Sequence, residues 1–339
     1  MKIAIHERAG SFSDYWIQYC EDTGIPYKIV DCYADTIIEQ MADCDALMWH
    51  HHHAIFKDTL FAKQLLNALE QAGKVVFPDH HTAWHFDDKI GQKYLFEAIG
   101  APFARTSVLY DKQEAFQYID NSTFPQVCKL RSGAGATNVR LAKSKQEARR
   151  IVRKAFSSGF AQSGRIGFAK EQIAMIRNGK VRFSNGVLRI GKRLLLGKPY
   201  SNLKPREKGY VYFQEYLLGN EFDLRVIVIG EHAYGMKRMV RKGDFKASGS
   251  GEFVYDPLDP SVLKIAFSLA SRLKLQAIAF DFVYDKDKKP VVIEMSYGFG
   301  TTGSNKCKGF YDKDLVYHPG PFNPFGWMVE HVLETISSR

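Results

Sequence analysis

The chain has 339 residues, 45% of them apolar and 25% charged, with a formal net charge of +10. That length exceeds one simple core and asks for two or three subdomains. The composition is globular, and no run approaches the roughly 20 apolar residues that cross a bilayer.

Within the first 80 residues, short apolar runs alternate with helical periodicity. KIAIHE, YKIVDC, ALMWHH and KVVFPD are predicted strands; the segments around Trp16–Asp22, Asp35–Cys44 and Asp58–Ala72 are predicted helices. Such alternation implies a parallel sheet with right-handed crossovers, and ligands approach these sheets at the carboxyl ends of the strands. A helix from Asp87 to Ile99 is closed by Gly100 and Pro102. ARTSVLY, FPQVCKL and NVRLAKS then read as strands of an α+β unit, with helices over Lys112–Asp120 and Lys145–Ser157. Residues 158–210 are rich in Gly, Lys and Arg, with one hairpin candidate in KVRFSNGVLRI. YVYFQEYL, FDLRVIVIG and HAYGMKRMV are strands. A helix over Ser261–Leu273 leads into a hairpin of AIAFDFVYD and PVVIEMSY that turns at Lys286–Lys289. The last predicted helix is Gly326–Ile336.

The opening MKIAIHERAG lacks the apolar core of a secretory leader, and the five cysteines (Cys20, Cys32, Cys44, Cys128, Cys307) contain no CxxC pair. Both favour reduced thiols and a cytoplasmic protein. Charge is uneven. Lys143–Gly209 holds 18 Lys/Arg against three Glu, a net +15, which leaves −5 on the rest. A basic segment on a mildly acidic body suits an anionic partner, or else a solvated face.

Four stretches can carry chemistry. Gly298, Gly300 and Gly303 spell GxGxxG after a strand, but SNKCKGFYDKDL is a poor helix, so a loop is expected there rather than a dinucleotide site. In CKLRSGAGATNV, Lys129 ends a strand, and Gly133 and Gly135 allow backbone N–H groups to wrap a polyphosphate; an ordinary hairpin turn is the alternative. In FDFVYDKDKKPVVIEMS, Asp281 and Glu294 lie on adjacent predicted strands. Pairing brings both acids to one face, where Mg²⁺ bridging to phosphates, or a salt bridge to nearby lysines, would offset their burial. In VYFQEYLLGNEFDLRVIVIG, Gln214, Glu215, Tyr216 and Leu217 form a hinge followed by Glu221 and Asp223, suited to a planar base and a ribose diol.

In this order the motifs resemble the ATP-grasp superfamily, in its RimK-like and glutathione-synthetase-like branch. HFDDKIGQKYLFEAIGAPFARTSV resembles the branch's DK-helix segment, making Lys89 the first phosphate lysine; Lys129 matches the second. DLRVIVIG followed by KRMVRKGDFKASGSG resembles its DIR…RR…GDFR run, so Arg225, Arg238 and Lys246 match positions lining the reaction centre. FDFVYDKDKKPVVIEMSYG resembles its metal-binding run, with Ser296 where asparagine is usual; Ser248 replaces the asparagine of the DFRxN run. The resemblance covers about residues 70–300. A second one, over nearly the whole chain, is to uncharacterised ATP-grasp proteins of bacterial surface-polysaccharide clusters.

The resemblance implies an ATP-grasp α/β (α+β) fold: a pre-ATP-grasp Rossmann-like parallel-sheet domain over 1–85, a lid subdomain with a basic insertion over 86–210, and a C-terminal subdomain over 211–339 with the metal site and an aromatic tail. It implies ATP with Mg²⁺ (or Mn²⁺), and a carboxylate–amine ligase working through an acylphosphate in surface-polysaccharide or small-molecule biosynthesis. The acceptor would be a saccharide, an amino acid or another small molecule, on a cytoplasmic enzyme that can form a homodimer. The alternatives are a phosphotransferase acting on a sugar or polyol and, third, a non-catalytic polyanion binder. Nucleic acid is disfavoured by the few aromatics in the basic stretch. Finally, WHHHH (Trp49–His53) falls at the end of the third strand. His51 and His53 are candidate acceptor contacts in a histidine wall joined by His80, His81 and His85, whose charge would rise near pH 6. A partly solvated strand end is the alternative.

Overall fold

The computed structural model describes residues 1–133, 138–161, 205–240, 245, 251–301 and 303–339. Strands β1 (Ile3–His6), β2 (Tyr27–Val30), β3 (Ala46–Met48) and β4 (Val75–Phe77) form a parallel sheet in the order β2-β1-β3-β4. β1, β3 and β4 are buried on both faces, so they read as continuous rather than alternating apolar runs. Helices α1 (Phe12–Thr23), α2 (Ile37–Gln40) and α3 (Phe56–Gln71) make the crossovers. The helix expected over Asp35–Cys44 is thus a single turn. α4 (His80–Ala83) and α5 (Lys89–Ala98) start on Asp79 and Asp88, whose carboxylates accept N–H groups of their first turns.

The central sheet is antiparallel, in the order β5-β8-β6-β7: β5 (Thr106–Leu109), β6 (Gln126–Lys129), β7 (Val139–Ala142) and β8 (Val211–Glu215). It is backed by α6 (Lys112–Asp120) and α7 (Lys145–Ala155). β8 sits between β5 and β6, so the boundary expected at residue 210 moves beyond Glu215; the hydrogen-bond ladder, not the basic run before it, defines the unit. The KVRFSNGVLRI hairpin lies outside the described residues.

The third sheet runs β13-β12-β9-β10-β14-β15, with a short strand β11 on β10. Its strands are β9 (Phe222–Ile229), β10 (His232–Met239), β11 (Phe253–Val254), β12 (Ala277–Tyr284), β13 (Pro290–Ser296), β14 (Gly309–Asp312) and β15 (Tyr317–Pro319). Two more helices, α8 (Pro260–Arg272) and α9 (Pro324–Ser337), pack on it. The aromatic tail folds back on the sheet: Phe322 stacks on Trp327 at 5.3 Å, and Trp327 on His232 at 4.3 Å. Gly298, Gly300 and Gly303 lie in a loop that leads only to a 3₁₀ turn, as expected.

The first and third sheets share one core. Ile3, Met48 and Phe77 meet Ile227 and Ala279, with Trp16 of α1 and Met328 of α9 packed among them. Gln276 reinforces the joint, donating to the Val76 carbonyl (3.0 Å) and accepting from the Asp79 N–H (2.8 Å). The central sheet keeps a separate core around Ile119, Val152 and Phe213. No described helix is long and apolar enough to cross a membrane.

Candidate active site

A cleft of about 600 Å³ opens between the three sheets, a volume suited to a small-molecule ligand. The β12–β13 hairpin puts Asp281 directly opposite Glu294, and both acids reach the cleft. Lys89, the first residue of α5, is almost fully buried. Its Nζ donates to the Gly133 carbonyl at 2.8 Å and lies 3.1 Å from Glu294 Oε1. Lys129, the last residue of β6, donates to the Ile293 carbonyl at 3.1 Å. Two amines from different elements therefore converge on one strand that offers a single nearby carboxylate. Burial pulls the Lys129 amine down to about 8; Glu294 opposes this and Lys89 reinforces it. An anion placed there would relieve the excess positive charge.

Gly133 has φ 111°, and a Cβ would fall 2.3 Å from Asn138 Nδ2, so this position requires glycine. Its N–H donates to Asp87 Oδ1 at 2.6 Å. Gly135, Lys246 and Ser248 lie outside the described residues.

Arg225 and Arg238 do line the cleft, but both are tied to acids. Arg225 grips Asp281 bidentately, Nε to Oδ1 at 2.8 Å and Nη2 to Oδ2 at 2.9 Å. Arg238 Nη2 donates to the same Oδ2 at 2.7 Å, and its Nε and Nη2 donate to Asp223. Antiparallel register sets this up, since Arg225 pairs with Asp281 across β9–β12 and Arg238 with Asp223 across β9–β10. Burial opposes the charge on Asp281, but the two guanidiniums outweigh it and hold the carboxyl below the ordinary range.

The donor set still fits a magnesium ion. Asp281 Oδ1 accepts only one N–H, Glu294 is one-third exposed at the cleft, and Ser296 lines it beside them. One or two carboxylates completed by substrate oxygens are what Mg²⁺ commonly takes. Among the described residues, no group of three His, Cys, Asp or Glu is placed to cage a metal without substrate.

Val127, Val139, Val283 and Ile293 wall the other end of the cleft, with the hinge Gln214–Leu217 along its edge. Gln214 is buried and fixed by hydrogen bonds to Thr106 Oγ1 (3.1 Å) and Tyr212 Oη (3.3 Å). Asn220, which sequence reasoning missed, locks the hinge by donating to the carbonyls of Leu217 and Tyr284. Glu221 is exposed, between Asn220 and Phe222, which both line the cleft. Asp223 lines the cleft, but both its oxygens accept from Arg238, so a ribose-binding role does not fit Asp223 as it stands.

The histidine wall is corrected in part. β3 ends at Met48, and the four histidines follow it as a loop. His50, His52 and His53 line the cleft, whereas His51 turns into the interior against Phe86 and Tyr297. Burial depresses His51 to about 3 and His50 well below the ordinary histidine range. Neither ring gains charge near pH 6. His80 and His81 are exposed and off the cleft, and His85 is fully buried, also depressed to about 3 by burial. Arg8, in the loop after β1, is the cleft cation that the motif reading missed. Its signal was an arginine two residues before a glycine, just past the carboxyl end of a parallel strand.

The parallel α/β domain, the separate antiparallel sheet and the third sheet together make an ATP-grasp fold, as the likeness to solved structures shows. Residues 182–315 match the RimK-like ATP-grasp domain. A RimK-domain ATP-grasp protein from Sphaerobacter thermophilus is 16% identical, with 98% of this chain and 100% of that one covered and a TM-score of 0.60. The D-cycloserine synthetase DcsG is 13% identical, with 99% and 100% covered and a TM-score of 0.60. The ATP-grasp ligase PsnB, in complex with a minimal precursor, Mg and ADP, is 12% identical, with 99% and 98% covered and a TM-score of 0.56. At these identities the likeness is one of fold. No curated protein matches the sequence.

Proposed function

We propose that the protein is an ATP- and Mg²⁺-dependent carboxylate–amine ligase that activates its carboxylate as an acylphosphate. The observation that carries this reading is the convergence of Lys89 on Glu294 and of Lys129 on the adjacent Ile293 carbonyl, one strand from the Asp281–Arg225–Arg238 network. The base would lie between Val127, Val139, Val283 and Ile293 against the Gln214–Leu217 hinge. Lys89 and Lys129 would hold the nucleotide phosphates as point charges. Asp281, Glu294 and Ser296 would hold Mg²⁺ together with phosphate oxygens. The bound ion would neutralise charge on the transferring phosphoryl group.

Arg225 and Arg238 line the cleft and would meet the attacking carboxylate as it approaches that group. The acids behind them fix their guanidinium planes, so orientation is set before substrate arrives. Lys246 and Ser248 remain candidates to close over the acylphosphate. The acceptor is proposed to be a small molecule of saccharide or amino-acid character, in surface-polysaccharide or other small-molecule biosynthesis. The protein is incubated with ATP, Mg²⁺, hydroxylamine and a panel of amino acids and sugar acids. ADP, free phosphate and a trapped hydroxamate support the ligase. ADP with a phosphorylated alcohol would favour the phosphotransferase, and absence of nucleotide binding would overturn both.

A further inference from the structure

The cleft end away from the base pocket is walled by loops of the first sheet, and the nucleotide leaves its polar groups unused. Arg8 is half-buried there. Its Nη2 donates to Ser11 Oγ at 3.2 Å and to the His50 carbonyl at 3.3 Å. Its Nε is buried and meets no acceptor among the described residues. Among the described residues no carboxylate lies within 4.0 Å of the Arg8 guanidinium, although the other cleft arginines are both paired. A partly desolvated cation without a counterion is unfavourable until an anion completes it.

His50 stands beside it, 7% exposed and lining the same cleft. Its Nδ1 accepts the Phe12 N–H at 3.2 Å and lies 2.9 Å from Ser11 Oγ. The ring proton of the neutral form therefore sits on Nε2. Among the described residues that Nε2 has no hydrogen-bond partner, and it lies toward the Gly298 edge of the cleft, where a Cβ would come within 3.7 Å of it. α1 begins at the same spot; it is 12 residues long, and its N-cap Ser11 makes no side-chain capping bond. The positive end of its dipole adds to the guanidinium.

We propose that Arg8, the start of α1 and His50 form a subsite for the carboxylate of the amine-bearing substrate, which is therefore an amino acid. One guanidinium with a neutral N–H donor balances a monoanion rather than a phosphate dianion. The assignment rests on the ligase reading, because it fills the end of the cleft that the nucleotide leaves open.

The 339-residue chain, with and without saturating Mg-AMPPNP, is titrated calorimetrically with glycine, L-alanine, L-glutamate and L-lysine, with their α-amides, and with inorganic phosphate. At least one acid is expected to bind at least about tenfold more tightly than its amide, the scale of one charged hydrogen-bonded pair. Arg8→Gln should remove that preference, Arg8→Lys should retain part of it, and Arg8→Gln should keep wild-type affinity for Mg-AMPPNP. Equal binding of acid and amide, tighter binding of phosphate than of every acid, no binding of any acid, or wild-type acid affinity in a folded Arg8→Gln would each overturn the subsite. Failure of the ligase reading shows separately, as wild-type protein that binds no Mg-AMPPNP or that, given ATP, Mg²⁺ and hydroxylamine, traps no hydroxamate.

Discussion

Asp281 takes both prongs of Arg225 and a third N–H from Arg238, while its strand partner Glu294 faces Lys89 at 3.1 Å. The two acids of the hairpin thus have different partners: one orders the arginines, the other balances the buried Lys89. Asp281→Ala leaves two guanidiniums without their shared counterion. Unfolding in urea should show a loss of about 3–5 kcal/mol, the range for removing one member of a buried pair. Glu294→Gln, at a one-third exposed site, should change stability far less while still abolishing Mg²⁺-dependent turnover. Equal destabilisation by the two variants would contradict this division.

In the proposed complex, Lys129 sets how nucleotide affinity should respond to pH. Burial lowers its pKa to about 8, so its charge is present below that pH and is lost as pH rises through it. Bound phosphate favours the charged form, and binding near pH 8 should therefore take up a proton. ATP affinity measured from about pH 6.5 to 9.5, a window that brackets this pKa, should hold steady and then fall above about 8. In Lys129→Arg, which stays charged throughout, that break should vanish. A wild-type profile flat to the top of the range would be the contrary result.

Gly235 lies on β10 where the neighbouring strand comes closest; a Cβ there would stand 2.2 Å from the Arg225 carbonyl oxygen. The obstacle is backbone and cannot swing away. Gly235→Ala should destabilise the protein by about 1–3 kcal/mol. It should also lower turnover beyond the effect on stability, because the strand that must move carries Arg225. Wild-type activity and stability together would refute the point.

His51 and His85 make the fold sensitive to acid. Both are held near 3 by burial, against an ordinary value of 6.5. Below about pH 6.5 the unfolded chain takes up protons that the folded rings refuse. Stability is therefore lost as pH falls, by up to about 1.4 kcal/mol per pH unit for each ring until it too titrates. Denaturation of wild type and His51→Phe at pH 7 and pH 5, values chosen to lie about either side of an ordinary histidine pKa, should show the variant losing about 1–2 kcal/mol less. Parallel losses would mean that His51 does not contribute.

The pairing of Asp281 with Glu294 was legible in the sequence because each acid interrupts an apolar strand beside a short turn, which fixes the register. The β-strands of the first sheet were legible for a similarly local reason. What the histidines do was not. Whether His50 or His51 faces the cleft depends on Phe86 and Tyr297, the latter nearly 250 residues away, and on a strand that ends before the run begins. The β14–β15 hairpin was missed because its aromatics find partners only once α9 folds back over β10. Arg8 lacked a motif; its position emerged only with the parallel sheet, and its unpaired state only with the contacts around it.

The shared core of the first and third sheets has a mechanical consequence. Trp16, Phe77, Ile227 and Met328 bind the beginning and end of the chain into one block, while the central sheet is packed about its own interior. In the proposed complex, Lys129 and Gln214 belong to that separate piece, whereas Glu294, Arg225 and Arg8 belong to the block. The nucleotide would bridge a seam, and a hinge opening there would loosen its grip without disturbing the distance from Arg8 to the reaction centre.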